Sequence, residues 1–398
     1  MSLVTGKEAK KLFALAEGFT NFNHGSFGAC AKEVKERQDE LFVVAEQRPD
    51  KWFRETFYEL QMEARTLVAK MINAKSVDDL VLVENASTAI NSLLRCKLKK
   101  GDKVMRLSTA YNMCIETFAW LECEQIVVEV DFPVKSKEQL VKAVTKAMHE
   151  NPDIKLCCFS HISSLPTLIE PVEQFSRVCK EINRDVMILV DGAHAPGVLE
   201  IDIESLDCEF YTGNLHKWCY APKGCAFMWV SQKVSRQWEE LAPTVISSTG
   251  ERSFVGRYSY TGTRDYTAFC TIPAALAFCE KLGGSKIITA HNHDLIMAGA
   301  RLCAEKWGTF LLAPDELYGV MVDVVLPETD WNKVMKVHNR LKDEDDIYMI
   351  GKAWVVDGEQ RIVTRLSANI YLELADFETL ANKFLKYQQE IVGLMSTY

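Results

Sequence analysis

Several features are missing from this 398-residue chain, and each absence removes a class of function. No apolar run approaches the roughly 18 residues needed to cross a bilayer. The first residues, Met1 to Leu15, are mixed and charged and lack the apolar stretch of a secretory signal. There is no basic tract. The 46 Lys and Arg are outnumbered by 55 Asp and Glu, leaving a formal charge of −9, so nucleic acid is not expected as a partner. None of the 13 cysteines forms a CxxC pair, so no structural metal site is expected. Neither a Walker loop nor GxGxxG occurs, which argues against nucleotide binding. No fixed-period repeat or low-complexity tract is visible. What remains is a cytoplasmic protein of ordinary globular composition that handles a small ligand, with scattered thiols (Cys157, Cys158, Cys225 and Cys279 among them) reduced and buried.

A chain this long is comfortable for two domains. Asp50 to Asn73 has apolar residues at spacings of three and four, as on an amphipathic helix. Leu80 to Val83 reads as a strand. It runs into Asn85-Ala86-Ser87-Thr88, a polar helix start; the glycosylation pattern there is taken as accidental. Strands at 102–107, 125–130, 156–160, 186–190 and 224–230 are predicted, interleaved with helices at 111–121, 137–149 and 172–182. That alternation predicts an α/β fold with a mostly parallel sheet covered on both faces, whose ligand lies at the carboxyl ends of the strands. Gly283-Gly284 follows a helix at 272–282 and reads as a C-cap and boundary. Beyond it come a strand at 319–326, a helix at 331–341, a hairpin within 348–365 turning at Asp357-Gly358, and a last helix from 376 to 395. The expected organisation is an N-terminal segment (1–22) that joins the small domain or a partner subunit, a large domain (23–284) and a small α+β domain (285–398).

The chemistry concentrates in two places. Val190-Asp191-Gly192-Ala193-His194 puts a carboxylate just past a buried strand; alone, an aspartate there most often caps the next turn. Asn214-Leu215-His216-Lys217-Trp218 puts a lysine among apolar neighbours. A snorkelling lysine is the plain reading, but a desolvated amine can form an imine with a carbonyl cofactor. Asn85 to Thr88 offers N–H groups and hydroxyls for a phosphate at a helix start, and Thr261-Gly262-Thr263-Arg264 is a second hydroxyl-and-glycine turn. His291-Asn292-His293 reads as a solvated helix face rather than a metal pair.

Asp-x-x-His with Lys217 placed 26 residues after Asp191 is similar to the aminotransferase class V signature. Asn23-His24-Gly25-Ser26-Phe27-Gly28, Asn85 to Asn91, and Tyr260 to Asp265 narrow the resemblance to the isopenicillin N epimerase-like branch. That branch includes cysteine desulfhydrases and hercynylcysteine sulfoxide lyases. The ordered matches run from about Asn23 to Asn369, and they are more specific for fold and cofactor than for reaction.

The resemblance implies the fold type I architecture of pyridoxal 5'-phosphate enzymes, with a seven-stranded type of sheet and a small C-terminal domain. It implies that Lys217 is the Schiff-base lysine and then moves the substrate α-proton. Asp191 would pair with the pyridinium nitrogen, His194 would lie near the ring, and Tyr111 would stack on it. Ala86, Ser87, Thr88, Asn214 and His216 would serve the phosphate. Thr263 would reach it from the other subunit of a homodimer. Ser163 and Ser164 match ring-contacting polar positions loosely. Arg365 would grip the carboxylate of a small amino-acid substrate, with Asn23 and His24 lining the mouth. No cysteine follows Cys303, which disfavours a persulfide-forming desulfurase. The expected reaction is β-elimination from a cysteine-derived amino acid. An amino-acid epimerase is the alternative, and a non-catalytic binding protein of the same fold is the third reading.

Overall fold

The computed structural model describes residues 3–237, 239–247 and 252–395. Seven strands form the main sheet: β1 (Leu80–Val83), β2 (Lys103–Leu107), β3 (Glu124–Val128), β4 (Leu156–Ser160), β5 (Met187–Asp191), β6 (Phe210–Asn214) and β7 (Ala226–Val230), in the spatial order β1-β7-β6-β5-β4-β2-β3. β7 is antiparallel to both neighbours, and every other pairing is parallel. Helices α1 (Ala86–Lys97), α2 (Asn112–Trp120), α3 (Lys137–Glu150) and α4 (Val172–Ile182) alternate with the strands. Crossovers of this kind cover both faces, which is why β4, β6 and β7 are buried at every residue. The α/β class and the mostly parallel central sheet are therefore as the sequence implied.

Two elements depart from the reading above. β6 was not anticipated, because Gly213 and Asn214 are poor strand formers. Its place in mid-sheet requires the glycine: a Cβ there would collide with Pro196 and Phe227. The helix expected over 50–73 is interrupted. A short turn at Pro49–Lys51 is followed by a π-helical turn at Trp52–Thr56 and an α-helix at Phe57–Met71. The wider turn lets Trp52 and Phe57, five residues apart, both enter the core, where regular helical spacing would splay them.

The C-terminal part contains α5 (Ser285–Trp307), β8 (Met321–Val325), α6 (Trp331–Asp345), β9 (Ile350–Val356), β10 (Glu359–Ser367) and α7 (Leu374–Met395). The strands form an antiparallel sheet in the order β9-β10-β8. Asp357 and Gly358 make the hairpin turn with φ of 51° and 78°, the left-handed values that a tight two-residue turn demands. Gly299 of α5 lets α7 approach closely, since a Cβ would strike the Phe377 ring. The stretch before Asn23 lies on this part of the chain. Thr20–Asn21 pairs with Ile347–Tyr348, and the Gly6 N–H bonds the Ile370 carbonyl. His291 to His293 is not a solvated face: Asn292 is buried, and His293 Nδ1 donates to the Gly319 carbonyl at 2.8 Å. Among the described residues, no helix is long and apolar enough to cross a membrane.

Candidate active site

Parallel strands β5 and β6 are neighbours, with Asp191 in register with Thr212. The 25 residues between Asp191 and Lys217 comprise a crossover, β6 and the start of the next helical turn, and they return the chain to the same end of the sheet. Asp191 ends β5, and one of its carboxylate oxygens accepts the Ala193 N–H at 3.0 Å. Lys217 sits on the single helical turn Leu215–Trp218 that follows β6. Its Nζ lies 3.0 Å from His194 Nε2. Burial opposes the ammonium, the Arg365 charge adds to that, and Asp191 partly offsets both; together they pull the lysine from 10.5 to about 7. Burial also raises Asp191, an effect offset by the Ala193 N–H and by Lys217. The two groups thus act on each other in one buried site.

His194 is held neutral, well below its usual range, by burial and by the Lys217 and Arg365 charges. A neutral ring that accepts from the lysine at Nε2 carries its proton on Nδ1. Nδ1 is buried and has no partner among the described residues. A buried ring nitrogen without a partner among the described residues, beside an amine near its neutral point and a buried carboxylate, fits a flat ring that bears an oxygen, an aldehyde and a basic nitrogen.

Asn85 caps α1, its Oδ1 accepting the Thr88 N–H at 2.9 Å and the Thr88 hydroxyl at 3.3 Å. The Ala86 N–H donates to Asn214 Oδ1 at 2.9 Å. Ala86 and Thr88 therefore bond protein acceptors at the helix start, and half-buried Ser87 lies between them. His216 is half-buried, with Nδ1 on the Cys225 carbonyl at 2.9 Å. Thr263 is exposed and bonds the Tyr260 hydroxyl at 2.7 Å. It borders a surface cleft of about 570 Å³ with Pro49, Phe53 and Tyr58, apart from the Lys217 cluster.

Arg365 on β10 is 1% exposed. Its Nη1 donates to the Ser164 carbonyl and hydroxyl at 2.9 and 3.0 Å, and its Nη2 to Asn23 Oδ1 and Ser26 Oγ at 2.6 and 2.8 Å. All four acceptors are neutral, and Nε is buried without a partner among the described residues. Burial lowers the guanidinium to about 10, so it remains charged at neutral pH. Half-exposed Tyr111, the residue before α2, is among the groups acting on it.

Two expectations are corrected. His24 does not line a mouth: it is fully buried, with Nδ1 on the Tyr371 hydroxyl and Nε2 on the Lys217 carbonyl, each at 2.9 Å. Ser163 turns its hydroxyl into its own loop, donating to the Pro166 carbonyl and accepting the Leu168 N–H, both at 2.8 Å. Three residues were missed. Ser26 lies inside a quoted motif. Asp323 is in register with Arg365, yet bonds the Thr167 N–H and is raised by burial to about 8. A carboxylate inside the apolar run at 319–326 was the available signal. Glu170 is buried between the Ser160 N–H (3.0 Å) and Thr109 Oγ1 (3.2 Å), and burial raises it to about 8. Nothing in its sequence setting marks it.

Residues 42–342 match the family described as aminotransferase class-V, and the chain belongs to that family. It is a pyridoxal 5'-phosphate-dependent enzyme. It is 28% identical to the L-cysteine desulfhydrase of Arabidopsis thaliana over 91% of this chain and 86% of that protein. It is 26% identical to the hercynylcysteine sulfoxide lyase of Schizosaccharomyces pombe (strain 972 / ATCC 24843), over 95% and 96%. A structure of a C-DES variant with glycine covalently linked to the PLP cofactor superposes with a TM-score of 0.75 at 17% identity, over 94% of this chain and 98% of that one.

Proposed function

We propose that this enzyme cleaves the C–S bond of a cysteine-derived amino acid by α,β-elimination. For cysteine itself, substrate and water become pyruvate, ammonia and sulfide. The observation that carries the reading is the cluster of a near-neutral buried Lys217 amine, neutral His194, the Asp191 carboxyl and an Arg365 that bonds only neutral acceptors. A buried guanidinium with no carboxylate at ion-pair distance among the described residues is a ready receptor for an α-carboxylate, and its forked N–H groups suit that shape. The cofactor, when bound, provides a ring that accepts the electron pair left on the substrate's α-carbon.

Lys217 would carry the cofactor and, once displaced by the substrate, hold the α-proton at Nζ. An amine with its midpoint near neutrality can take and return that proton. Asp191 would hold the ring nitrogen, His194 Nδ1 a ring oxygen, and Ser87, Asn214 and His216 the phosphate end. Tyr111 would cover the ring. A homodimer in which Thr263 serves the neighbouring site accounts for its place in a surface cleft that Lys217 does not line. Elimination needs no sulfur nucleophile, and the chain offers none here: Cys219 and Cys225, nearest in sequence to Lys217, are buried with thiols pushed up by burial. All 13 cysteines are free, in keeping with a reducing cytoplasmic setting.

The test is a substrate panel of cysteine, cysteine S-conjugates and cysteine sulfoxides, assayed for pyruvate and for the sulfur product. Stoichiometric pyruvate supports elimination. Inversion at carbon without pyruvate would replace it with the epimerase reading.

A further inference from the structure

The segment Asn23–Gly28 touches both ends of the cluster. Asn23 and Ser26 accept from Arg365 Nη2, and His24 bonds the Lys217 carbonyl. Both of its glycines are close-approach points. A Cβ on Gly25 would strike the Met321 sulfur and sit 3.5 Å from Arg365 Cζ, and one on Gly28 would strike the His216 carbonyl. Gly28 also has a φ of +68°, so it turns the chain onto the lysine segment.

The hydrogen bonds through His24 have one consistent direction. The Lys217 carbonyl can only accept, so Nε2 carries the ring proton. Nδ1 then accepts from the Tyr371 hydroxyl, which itself receives a bond from Asn21 Nδ2 at 3.1 Å. The hydrogen-bond chain from Asn21 through Tyr371 and His24 to the Lys217 carbonyl is made of uncharged groups. The imidazole also lies against the Trp218 ring, with centroids 4.7 Å apart.

We propose that Asn23–Gly28 is a bracket between the carboxylate-binding arginine and the cofactor lysine, and that His24 is a positioning residue acting through the Lys217 carbonyl. The proposal rests on Lys217 being the cofactor lysine. It assigns the conspicuous histidine of this motif to the back of the site. With the carbonyl held, Nζ stays against His194, and the arginine is tied to the same short turn. Movement of one grip is then felt by the other.

The charged and titratable groups facing this assembly are Lys217 itself, His194, His216, Asp191, Arg365 and Lys223, with Tyr371 and Tyr220 at the edges of the imidazole. Two substitutions test the proposal in the full-length, cofactor-free chain: His24→Leu removes both bonds, and Tyr371→Phe removes only the distal one. Lys217 is acetylated with acetic anhydride across a pH series, and its peptide is quantified by mass spectrometry, with thermal unfolding measured in parallel. If the carbonyl is released, the amine gains solvent and its labelling midpoint rises from about 7 towards 10.5. We expect a rise of ~1 pH unit in His24→Leu, equivalent to a loss of roughly fivefold in labelling rate at pH 7, and a smaller rise in Tyr371→Phe. Unchanged midpoints overturn the proposal, whether or not thermal stability falls. If His24→Leu does not fold, Tyr371→Phe decides alone in the same way. No substrate is used, so a wrong assignment of the leaving group leaves the result unaffected.

Discussion

The buried lysine makes a quantitative statement about stability. Lys217 is drawn from 10.5 to about 7 in the folded, cofactor-free chain, mainly by burial. Its folded pKa lies below its unfolded one, so between about pH 7 and 10.5 the unfolded chain binds more protons. Stability must therefore rise with pH through that window. Integrating the two titrations from pH 7 to pH 9 gives ~2 kcal/mol from this one group. Lys217→Met keeps the length and apolar stem while deleting the titration. The assay is denaturant unfolding of cofactor-free wild type and Lys217→Met at both pH values. The wild type should gain roughly 2 kcal/mol relative to the variant on going to pH 9. Groups remote from the site that titrate in this range are common to both chains and cancel. His194 adds no titration of its own between pH 7 and 9, because that imidazole is held neutral. Parallel pH dependence in the two proteins would refute the reasoning, because the amine would then be hydrated in the folded state.

Two further outcomes follow from the same geometry. Arg365→Lys replaces a fork with a point charge and should lose at least one charge-assisted bond, worth about 1.5–3 kcal/mol, so KM for the amino acid should rise roughly 10- to 100-fold with kcat less affected; an unchanged KM in steady-state kinetics would place the substrate carboxylate elsewhere. If Thr263 serves the partner's site, inactive Lys217→Ala and Thr263→Glu chains, mixed and allowed to exchange subunits, should regain roughly a quarter of wild-type activity, because half the dimers carry one intact site out of two; no recovery would put Thr263 in its own subunit's site, and an active Thr263→Glu chain would put it outside the reaction.

Local pattern alone made much of the fold legible. β4 and α4 lie at their predicted bounds, and the tight turn falls at Asp357-Gly358, because apolar period, capping and turn chemistry are properties of neighbours in sequence. β6 escaped because strand status for Gly213 and Asn214 comes from β5 and β7 on either side, not from the residues themselves. The π turn at Trp52–Thr56 escaped for a similar reason: it serves packing of two aromatic side chains that only the assembled core defines.

For the site, the order and spacing of Asp191, His194 and Lys217 were determined by the sequence, since a strand, a crossover and a parallel neighbour fix where the chain returns. Whether a side chain faces the ligand or supports another residue was decided only by the tertiary structure. His24 reads as a mouth residue in its motif, yet lies wholly buried between Tyr371 and the Lys217 carbonyl. Asp323 and Arg365 stand in register as a natural ion pair, yet each bonds groups on other segments. The physical reason is common to these cases. Burial and partner choice depend on what segments hundreds of residues apart bring to one place, and so do the pKa shifts that make Lys217 a usable amine; no window along the chain contains that information.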